Sequence, residues 1–248
     1  MNIILVEPDE IQENCVRFVD HRAEHIVKVL RSERGDTVKI GQVDGKIGSG
    51  TILEIKKKYP FCVELRLQLT DNPPPKPLID LVLALPRPIM LKRILSQVTA
   101  LGVGTIHLIN ANRVEKSFWE ASILERQEYR THLLHGLEQA VDTRLPEVML
   151  HPRFKPFVED FMPDISDEYG SCICAHPLGT KVLSDVVDSV TDRLLLAIGP
   201  EGGWVDYEVE KFQEQQFSCC SIGSRILKVD TAVIALHSRL SALQEFAG

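Results

Sequence analysis

Residues 194–204 read Leu-Leu-Leu-Ala-Ile-Gly-Pro-Glu-Gly-Gly-Trp, and this stretch decides how the chain folds. Five consecutive apolar residues predict a strand buried on both faces, which is typical of a parallel sheet. Gly199-Pro200-Glu201-Gly202-Gly203 then predicts a sharp turn, because two adjacent glycines leave backbone N–H and C=O groups uncovered for a ligand. Asp206 is placed to cap a helix that runs to about residue 216. The alternative interpretation is a tight strand-to-helix turn without a ligand.

The turn at residues 199–203 is not one of the common phosphate-binding motifs. It lacks the Gly-Lys-Ser/Thr ending of a P-loop and the spacing of the dinucleotide motif G-x-G-x-x-G. A ligand recognised mainly through backbone groups fits an adenine and a sulfonium better than a triphosphate. Ligands of parallel sheets collect at the carboxyl ends of strands, and residues 174–179 and 221–232 are two further candidate strand ends.

Strand and helix patterns alternate around this stretch. Apolar runs predict strands at 78–85, 105–109 and 171–175. One helix is predicted from Pro88 to Leu101, with Gly102 as its stop signal. A longer helix is predicted from Ser117 to Val141, since Ser117-x-x-Glu120 matches a capping box. The alternation predicts an α/β domain with a mainly parallel sheet.

Four prolines within residues 73–77 predict a stiff, extended linker. We therefore expect a first domain at 1–71, a linker at 72–77 and a second domain at 78–248. In the first domain, strand patterns at 37–40, 50–55 and 62–69 and a short helix at 23–31 predict a small β-barrel.

The composition, 44% hydrophobic and 25% charged, is that of an ordinary globular protein. No apolar run reaches the length of a membrane span, and the acidic N-terminus argues against a signal peptide, so we expect a cytosolic protein. The net charge is −7, but residues 153–248, with 8 Lys/Arg against 15 Asp/Glu, account for the excess. The rest of the chain can therefore still present basic patches to phosphates.

Two ordered motifs carry a resemblance to a known family. Residues 199–203, followed about twenty residues later by Ile-Gly-Ser-Arg-Ile-Leu-Lys-Val-Asp-Thr-Ala at 222–232, look like the SPOUT methyltransferases. More narrowly, the chain is similar to the RsmE family, which methylates N3 of a uridine in small-subunit (16S) ribosomal RNA. Residues 25–31, followed by Gly35-Asp36, resemble that family's PUA-like barrel. Agreement extends to 101–103 and to four residues near the end of the long helix, namely Glu138, Gln139, Arg144 and Pro146.

The resemblance implies an α/β protein in which an N-terminal PUA-like β-barrel precedes a SPOUT domain with a C-terminal trefoil knot. A knot is an exception to the rule that chains do not thread loops. The resemblance also implies a homodimer and the methyl donor S-adenosyl-L-methionine, held in the knot by three loops. The residues it implies for donor binding are Ala175, His176, Pro177, Ile198, Gly199, Pro200, Glu201, Gly202, Gly203, Ile222, Gly223, Arg225, Ile226 and Leu227.

Methylation of a uridine N3 requires loss of a weakly acidic imino proton, and alignment of the reactants supplies much of the acceleration. Arg225 is the candidate to stabilise the developing uridine anion, with pairing to a phosphate or carboxylate as its alternative role. Glu201 is a candidate to orient substrate or act as base, against a hydrogen bond that stabilises the turn. For His176, a structural hydrogen bond is favoured over a role as base.

Basic residues in both domains are predicted to contact ribosomal RNA or the small ribosomal subunit, mostly by positioning phosphates. They are Arg17, Arg22, Lys28, Arg31, Arg34, Lys92, Arg93 and Arg113. The alternative is that they form an ordinary solubilising surface. The run Lys56-Lys57-Lys58 is more typical of a solvated strand end, and the six cysteines of small buried hydrophobes, so no metal is predicted.

The chain departs from the family pattern at Lys228 and Asp230, where Arg and Glu are usual, and Lys cannot reproduce the bidentate contacts of Arg. Thr99-Ala100 also replaces a usual acidic residue. These changes leave the donor pocket intact and bear on the RNA target. Three functions stay open: a uridine-N3 methyltransferase, a relative acting on another RNA or base atom, and a non-catalytic RNA-binding or assembly protein.

Overall fold

The computed structural model describes residues 2–179, 181–187 and 191–245. The chain forms two compact units, the first made of Met1–Pro75 and Leu134–Leu145 and the second of Lys76–Leu133 and Pro146–Gly248. The first unit holds a mixed sheet and the second a parallel sheet, so the predicted α/β class is confirmed. The domain boundary at the proline segment stays a prediction, as does the PUA-like nature of the first domain.

The first unit contains a five-stranded sheet in the order β1-β3-β4-β5-β2. Its strands are β1 (Ile4–Val6), β2 (Cys15–Phe18), β3 (Thr37–Gln42), β4 (Ile47–Lys56) and β5 (Cys62–Asp71). Only β1 and β3 run parallel, and the other pairs are antiparallel. The predicted short helix is present as α1 (His21–Glu24) and a π-helical turn at His25–Leu30. The three predicted strands are confirmed as β3, β4 and β5.

The last part of the long helix belongs to the first unit rather than to the segment in which the sequence analysis placed it. Leu137 is buried in a cluster with Ile3, Leu5 and Ile47. Downstream of the helix, the buried hydroxyl of Thr143 donates a hydrogen bond of 2.7 Å to the carbonyl of Gly45. Residues 134–145 therefore complete the core of a unit whose other residues end at Pro75, within the proline segment.

Strands and helices alternate after the proline segment. The strands are β6 (Ile79–Ala84), β7 (Thr105–Ile109), β8 (Glu147–His151), β9 (Ser171–Ala175), β10 (Leu194–Ile198) and β11 (Ser218–Cys220). The helices are α2 (Pro88–Leu101), α3 (Arg126–Ala140), α4 (Phe154–Pro156), α5 (Met162–Ile165), α6 (Asp206–Glu214) and α7 (Val229–Glu245). Within the described ranges, no helix is both long and apolar enough to cross a membrane.

The six strands of the second unit form one parallel sheet in the order β11-β9-β10-β6-β7-β8. All residues of β6 and β10 are buried, as expected for central strands covered on both faces. Because the strands are parallel, β9, β10 and β11 end at the same edge of the sheet. The predicted trefoil knot stays a prediction.

The prediction of one long helix from Ser117 was wrong. Residues 116–120 and 122–124 form two short 3₁₀ turns, and Ala121 between them has an extended backbone with φ −76° and ψ 135°. Tertiary contacts override the capping-box pattern here: the Trp119 indole donates to Asn110 Oδ1 at 3.1 Å, and Ile123 is buried. The helix proper begins only at Arg126.

The amino-terminal edge of the parallel sheet is closed by a buried carboxylate. Asp80 in β6 is fully buried and accepts hydrogen bonds from the Thr105 N–H at 2.6 Å and the Tyr169 hydroxyl at 2.8 Å. Oδ2, the oxygen that accepts from Tyr169, also pairs with the guanidinium of Arg193. Burial and the neighbouring carboxylate raise the pKa of Tyr169, which therefore stays a hydrogen-bond donor. Every polar group of this cluster has a partner, as buried polar groups require.

Two histidines lie side by side on β7 and β8. His107 is 2% exposed, and its Nδ1 lies 3.2 Å from Nε2 of His151. The rings of Phe157 and Phe161 pack against both histidines. Burial, with smaller contributions from His151 and Arg193, lowers the pKa of His107 to about 3, so it is neutral near neutral pH.

Candidate active site

A cavity of about 250 Å³ opens where β9, β10 and β11 end. Three loops line it, at 175–177, 198–204 and 220–227, together with the first turns of α7. The structure thus brings together around one cavity every residue predicted to bind the donor, from Ala175 to Leu227. Their role in donor binding stays a prediction, but their proximity follows directly from the parallel order of the three strands.

The turn after β10 owes its shape to glycine. Gly203 has a φ of +74° and donates a hydrogen bond of 2.8 Å to the carbonyl of Pro200, which closes the turn. Non-glycine residues rarely adopt this conformation. At Gly199, an added Cβ would lie 3.2 Å from the ring of Trp204. Glycine at 199 therefore lets the Trp204 ring pack closely against the turn, and glycine at 203 permits the conformation that closes it.

Arg113 holds the same turn in place. Its guanidinium donates a hydrogen bond to the carbonyl of Gly202, and its side chain lies where a Cβ at Gly202 would come within 2.8 Å of Cδ. The side chain of Arg113 links the loop after β7 to the turn after β10. The RNA contact expected for Arg113 stays a prediction.

Glu208 is a site residue that the sequence analysis missed. The side chain is 2% exposed, Oε1 accepts from the Asn112 N–H at 2.6 Å, and Oε2 accepts from the Val205 N–H at 3.0 Å. One carboxylate thus ties the loop that carries Arg113 to the end of the glycine turn. Glu208, rather than the predicted Asp206, is also the residue that caps α6. Its position in the first helical turn was the only available signal, since the Asn112 contact is long-range.

Trp204 is a second residue without a predicted role. It is 4% exposed, lines the cavity, and packs edge-on against Phe212 at 5.0 Å between ring centroids. Its indole Nε1 has no hydrogen-bond partner among the described residues. A buried indole N–H usually has a partner, so this unpaired donor in the wall of the cavity is unusual.

The three predicted catalytic candidates differ in how far they are engaged. Glu201 is exposed and accepts a long hydrogen bond, 3.4 Å, from the Arg87 N–H at the start of α2. His176 accepts through Nδ1 from the Leu178 N–H at 3.2 Å, which is the structural role favoured from the sequence. Arg225 lines the cavity, is exposed, and has no ion pair or side-chain hydrogen bond with any residue of the described part. It is therefore available to a ligand.

The predicted RNA-binding residues of the first unit differ in whether their side chains are already paired within the protein. Arg22 is only 13% exposed in its side chain and pairs with Glu10 at 2.5 Å and Asp20 at 2.7 Å, so its guanidinium serves the fold. Arg17 donates to Cys62 Sγ at 3.2 Å. Lys28 pairs with an exposed glutamate at 2.6 Å. The exposed side chains of Arg31 and Arg34 have no partner within the described ranges.

In the second unit, Arg93 forms an ion pair of 3.4 Å with Asp230, one of the residues that departs from the family pattern. Lys92 is exposed and its side chain has no partner in the described part of the chain. Lys228, the other departure, is also exposed. The replacement of Glu by Asp at 230 thus occurs beside α2, where a basic side chain compensates its charge.

A parallel sheet whose carboxyl edge holds a cavity walled by main chain defines an α/β protein that binds a small molecule there. The sequence model of the family described as RNA methyltransferase domain matches residues 73–241. Ribosomal RNA small subunit methyltransferase E of Treponema pallidum is 33% identical over 241 residues, covering 95% of this chain and 88% of that protein. The protein of the same name from Bacillus subtilis is 26% identical over 226 residues, with 88% and 86% covered.

A solved structure of ribosomal RNA small subunit methyltransferase E from Neisseria gonorrhoeae, bound to S-adenosyl methionine, has a TM-score of 0.78. It is 19% identical and the match covers 99% of this chain and 98% of that one, so the two share a fold. The chain belongs to the RNA methyltransferase family, in the branch named ribosomal RNA small subunit methyltransferase E. The family resemblance inferred from the motifs is thereby confirmed.

Proposed function

We propose that this protein transfers the methyl group of S-adenosyl-L-methionine to N3 of a uridine in small-subunit ribosomal RNA, as a cytosolic homodimer. The observation that carries the proposal is the cavity at the ends of β9, β10 and β11, which gathers all three predicted donor loops. Family membership supplies the reaction class, and the names of the relatives point to small-subunit ribosomal RNA. The dimer, the knot and the N3 position are carried from the family resemblance.

The residues around the cavity fit this donor. The loops at 198–204 and 220–227 line the cavity mostly with main chain and apolar side chains, which suits an adenosine, since an adenosine needs hydrogen bonds more than charge. Arg225 is the one Lys or Arg among the described lining residues, too little positive charge for a triphosphate. The Neisseria gonorrhoeae relative carries S-adenosyl methionine in its structure. When bound, such a donor supplies an electrophilic methyl group.

The chain's own residues then have three tasks. Arg225 stabilises the negative charge left on the uracil ring when the N3 proton passes to water, since a nearby cation in a partly closed site favours the anion. Arg113 and Glu208 hold the turn at 199–203 in one shape, so the reacting atoms meet in alignment. Glu201, at the rim of the cavity, orients the substrate while its carboxylate accepts from the start of α2.

A methyltransferase of the same fold that modifies another RNA or base atom is the second candidate. The observation that favours it is the pair of departures at Lys228 and Asp230, of which Asp230 is paired with Arg93. Both lie next to the loop that holds Arg225. A change in the charge geometry there alters recognition of the acceptor and leaves the cavity walls unchanged.

The test is transfer of labelled methyl from S-adenosylmethionine to small-subunit RNA and to assembled small subunits, followed by digestion and identification of the nucleosides by mass. We expect 3-methyluridine from one site. Arg225→Ala should lower kcat at least tenfold with donor affinity within a few-fold, because the guanidinium acts on charge that develops in the transition state. Arg225→Lys should recover part of the loss.

A different methylated nucleoside would contradict the N3 assignment and support the second candidate. Donor binding without transfer to either substrate would point to another RNA. Absence of donor binding, measured by calorimetry on the folded protein, would contradict the enzyme itself and leave an RNA-binding or assembly role.

A further inference from the structure

The turn between β4 and β5 presents an aromatic ring to solvent. Tyr59 is 86% exposed and follows three consecutive exposed lysines, Lys56, Lys57 and Lys58. A single exposed apolar side chain is common on protein surfaces and means little by itself. Two further observations bear on the role of this ring: the contacts that hold the turn and the charges around it.

The turn is anchored by its neighbours. Phe61 packs partly buried against the core of the first unit, and its ring meets that of Tyr59 at a right angle with 6.0 Å between centroids. Lys28 Nζ lies 5.1 Å above the Phe61 ring, and Lys57 forms an ion pair with Glu33. Both the π-helical turn at His25–Leu30 and the loop that follows it are therefore joined to the turn that carries Tyr59.

These contacts bring together cations that are distant in sequence. Arg31, Arg34, Lys56 and Lys58 are exposed, and their side chains have no ion pair or hydrogen bond with residues in the described ranges. The acidic groups of the same segments are largely engaged. Glu33 forms an ion pair with Lys57, and Glu24 forms one with Lys28. An oxygen of Asp36 accepts a hydrogen bond of 2.7 Å from the Glu33 N–H. The six cations of these segments outnumber their four carboxylates, Glu24, Glu33, Asp36 and Glu54, so positive charge is in excess.

We propose that Tyr59 with Arg31, Arg34, Lys56 and Lys58, called here the Tyr59 surface, binds single-stranded RNA. One base stacks on the Tyr59 ring, and the neighbouring phosphates contact the four cations. An exposed aromatic ring within a basic surface is the combination by which proteins bind single strands without reading sequence. The identity of the RNA rests on the proposed function, and Tyr59, Lys56 and Lys58 are added here to Arg31 and Arg34, whose RNA contacts were predicted from the sequence.

An acidic protein partner would use the cations of this surface but not the aromatic ring. An acidic peptide would bind the cations, but stacking on an isolated ring adds little to such binding. The aromatic and ionic contributions are separable by mutation, because the ring and the charges sit on different residues.

The experiment is fluorescence anisotropy with a labelled single-stranded oligonucleotide of small-subunit RNA sequence, titrated with the full-length protein at several salt concentrations. Tyr59→Ala should weaken binding about tenfold, since it removes the stacking of one base. Tyr59→Phe keeps the ring and should stay within about twofold of the unchanged protein. Lys56→Ala and Lys58→Ala should each reduce the slope of log affinity against log salt by about 0.7.

Two controls accompany these variants. Tyr207→Ala removes a partly exposed tyrosine of α6 and should leave RNA affinity unchanged. Affinity for S-adenosylmethionine should be unchanged in every variant, because none of these residues lines the cavity, and it reports that the protein is folded.

Full RNA affinity in Tyr59→Ala would overturn the inference, as would equal losses in Tyr59→Phe and Tyr59→Ala. Equally tight binding of polyglutamate, insensitive to Tyr59→Ala, would also overturn it in favour of an acidic partner. Failure of the proposed function looks different: methyl transfer would be absent while Tyr59→Ala still weakened RNA binding. Conversely, if methyl transfer proceeds and Tyr59→Ala keeps full RNA affinity, only the proposal for the Tyr59 surface is contradicted.

Discussion

The two edges of the parallel sheet differ in how far their polar groups are hydrogen-bonded within the protein. At the amino-terminal edge, Asp80 is fully buried, and a backbone N–H, a hydroxyl and a guanidinium all point at its carboxylate. At the carboxyl edge, the buried Trp204 indole N–H has no partner among the described residues, and Arg225 lacks one too. The amino-terminal edge satisfies its buried carboxylate internally. The carboxyl edge pairs Glu208 and Arg113 within the chain but leaves the Arg225 guanidinium available to a molecule outside it.

The difference separates stability from binding within one sheet. Satisfied buried groups contribute to the free energy of unfolding, whereas unsatisfied ones cost free energy until a ligand pairs with them. Mutations at the amino-terminal edge should therefore change stability alone. Mutations at the carboxyl edge should change ligand affinity more than stability.

Asp80→Ala should give the largest effect. It leaves the Thr105 N–H and the Tyr169 hydroxyl without their acceptor in a buried place, and removal of one partner of a buried ion pair costs about 3 kcal/mol or more. Urea unfolding should show this loss, with affinity of the remaining folded protein for S-adenosylmethionine unchanged. Asp185→Ala, at an exposed carboxylate, is the matched control. Loss of donor affinity in Asp80→Ala would mean that the two edges are coupled.

Acid should weaken the sheet between the two edges. The pKa of His107 falls from its ordinary 6.5 to about 3 on folding, so the unfolded chain binds a proton more readily. The stability it contributes is complete above pH 6.5 and is lost as the pH falls from there towards 3. Linkage gives a loss of about 2 kcal/mol between pH 7.5 and pH 5.

His107→Gln removes this titration and should flatten the pH dependence of the unfolding free energy over that range. His21→Gln, at an exposed histidine, should leave the dependence unchanged. A wild-type unfolding free energy that is constant between pH 7.5 and pH 5 would contradict the assignment.

Glu208→Gln tests the carboxyl edge with the smallest change. Both oxygens of Glu208 accept from backbone N–H groups, so an amide turns an NH₂ towards one of them and releases that loop. We expect affinity for S-adenosylmethionine to fall about tenfold, or about 1.4 kcal/mol. Glu210→Gln, exposed on the same helix, is the control. Calorimetry measures the affinity for S-adenosylmethionine. If Glu208→Gln loses thermal stability but keeps full affinity, Glu208 acts only as a helix cap.

Elements with strong local signals were predicted closely from the sequence. The apolar runs at 105–109, 171–175 and 194–198 coincide with β7, β9 and β10, because strands covered on both faces need continuous apolar residues. α2 spans the predicted residues from Pro88, whose ring suits a first helical turn, to Leu101 before Gly102, which has a φ of +85°.

Elements that depend on distant partners were not predictable in the same way. β1 has three residues and exists because it pairs with β3, while β8 is an edge strand with exposed positions. The same limit applies to side chains. The sequence shows that Arg22 and Arg113 are basic, but it does not show the partners that each acquires on folding, which are carboxylates for Arg22 and a carbonyl for Arg113. Their RNA contacts stay predictions.

The cavity residues were foreseen because the loops that form them follow recognisable strands and match family motifs. Glu208 and Trp204 were not, since their roles arise from contacts that the alternation of strands and helices does not encode. Tyr59 was missed for a further reason. Its proposed role depends on the nearby cations Arg31 and Arg34. Folding joins the turn that carries Tyr59 to the loop that carries these arginines, and the sequence alone does not show this.

The composition of the first unit from Met1–Pro75 and Leu134–Leu145 has a consequence for biosynthesis. A ribosome releases the chain from its amino end, so Ile3, Leu5 and Ile47 emerge well before Leu137, which covers them. Until the whole stretch Lys76–Leu133 has been made, that apolar surface faces water. Domains usually complete their folding in the order of synthesis. Here the part that is synthesised first can finish folding only when more than half of the chain has left the ribosome.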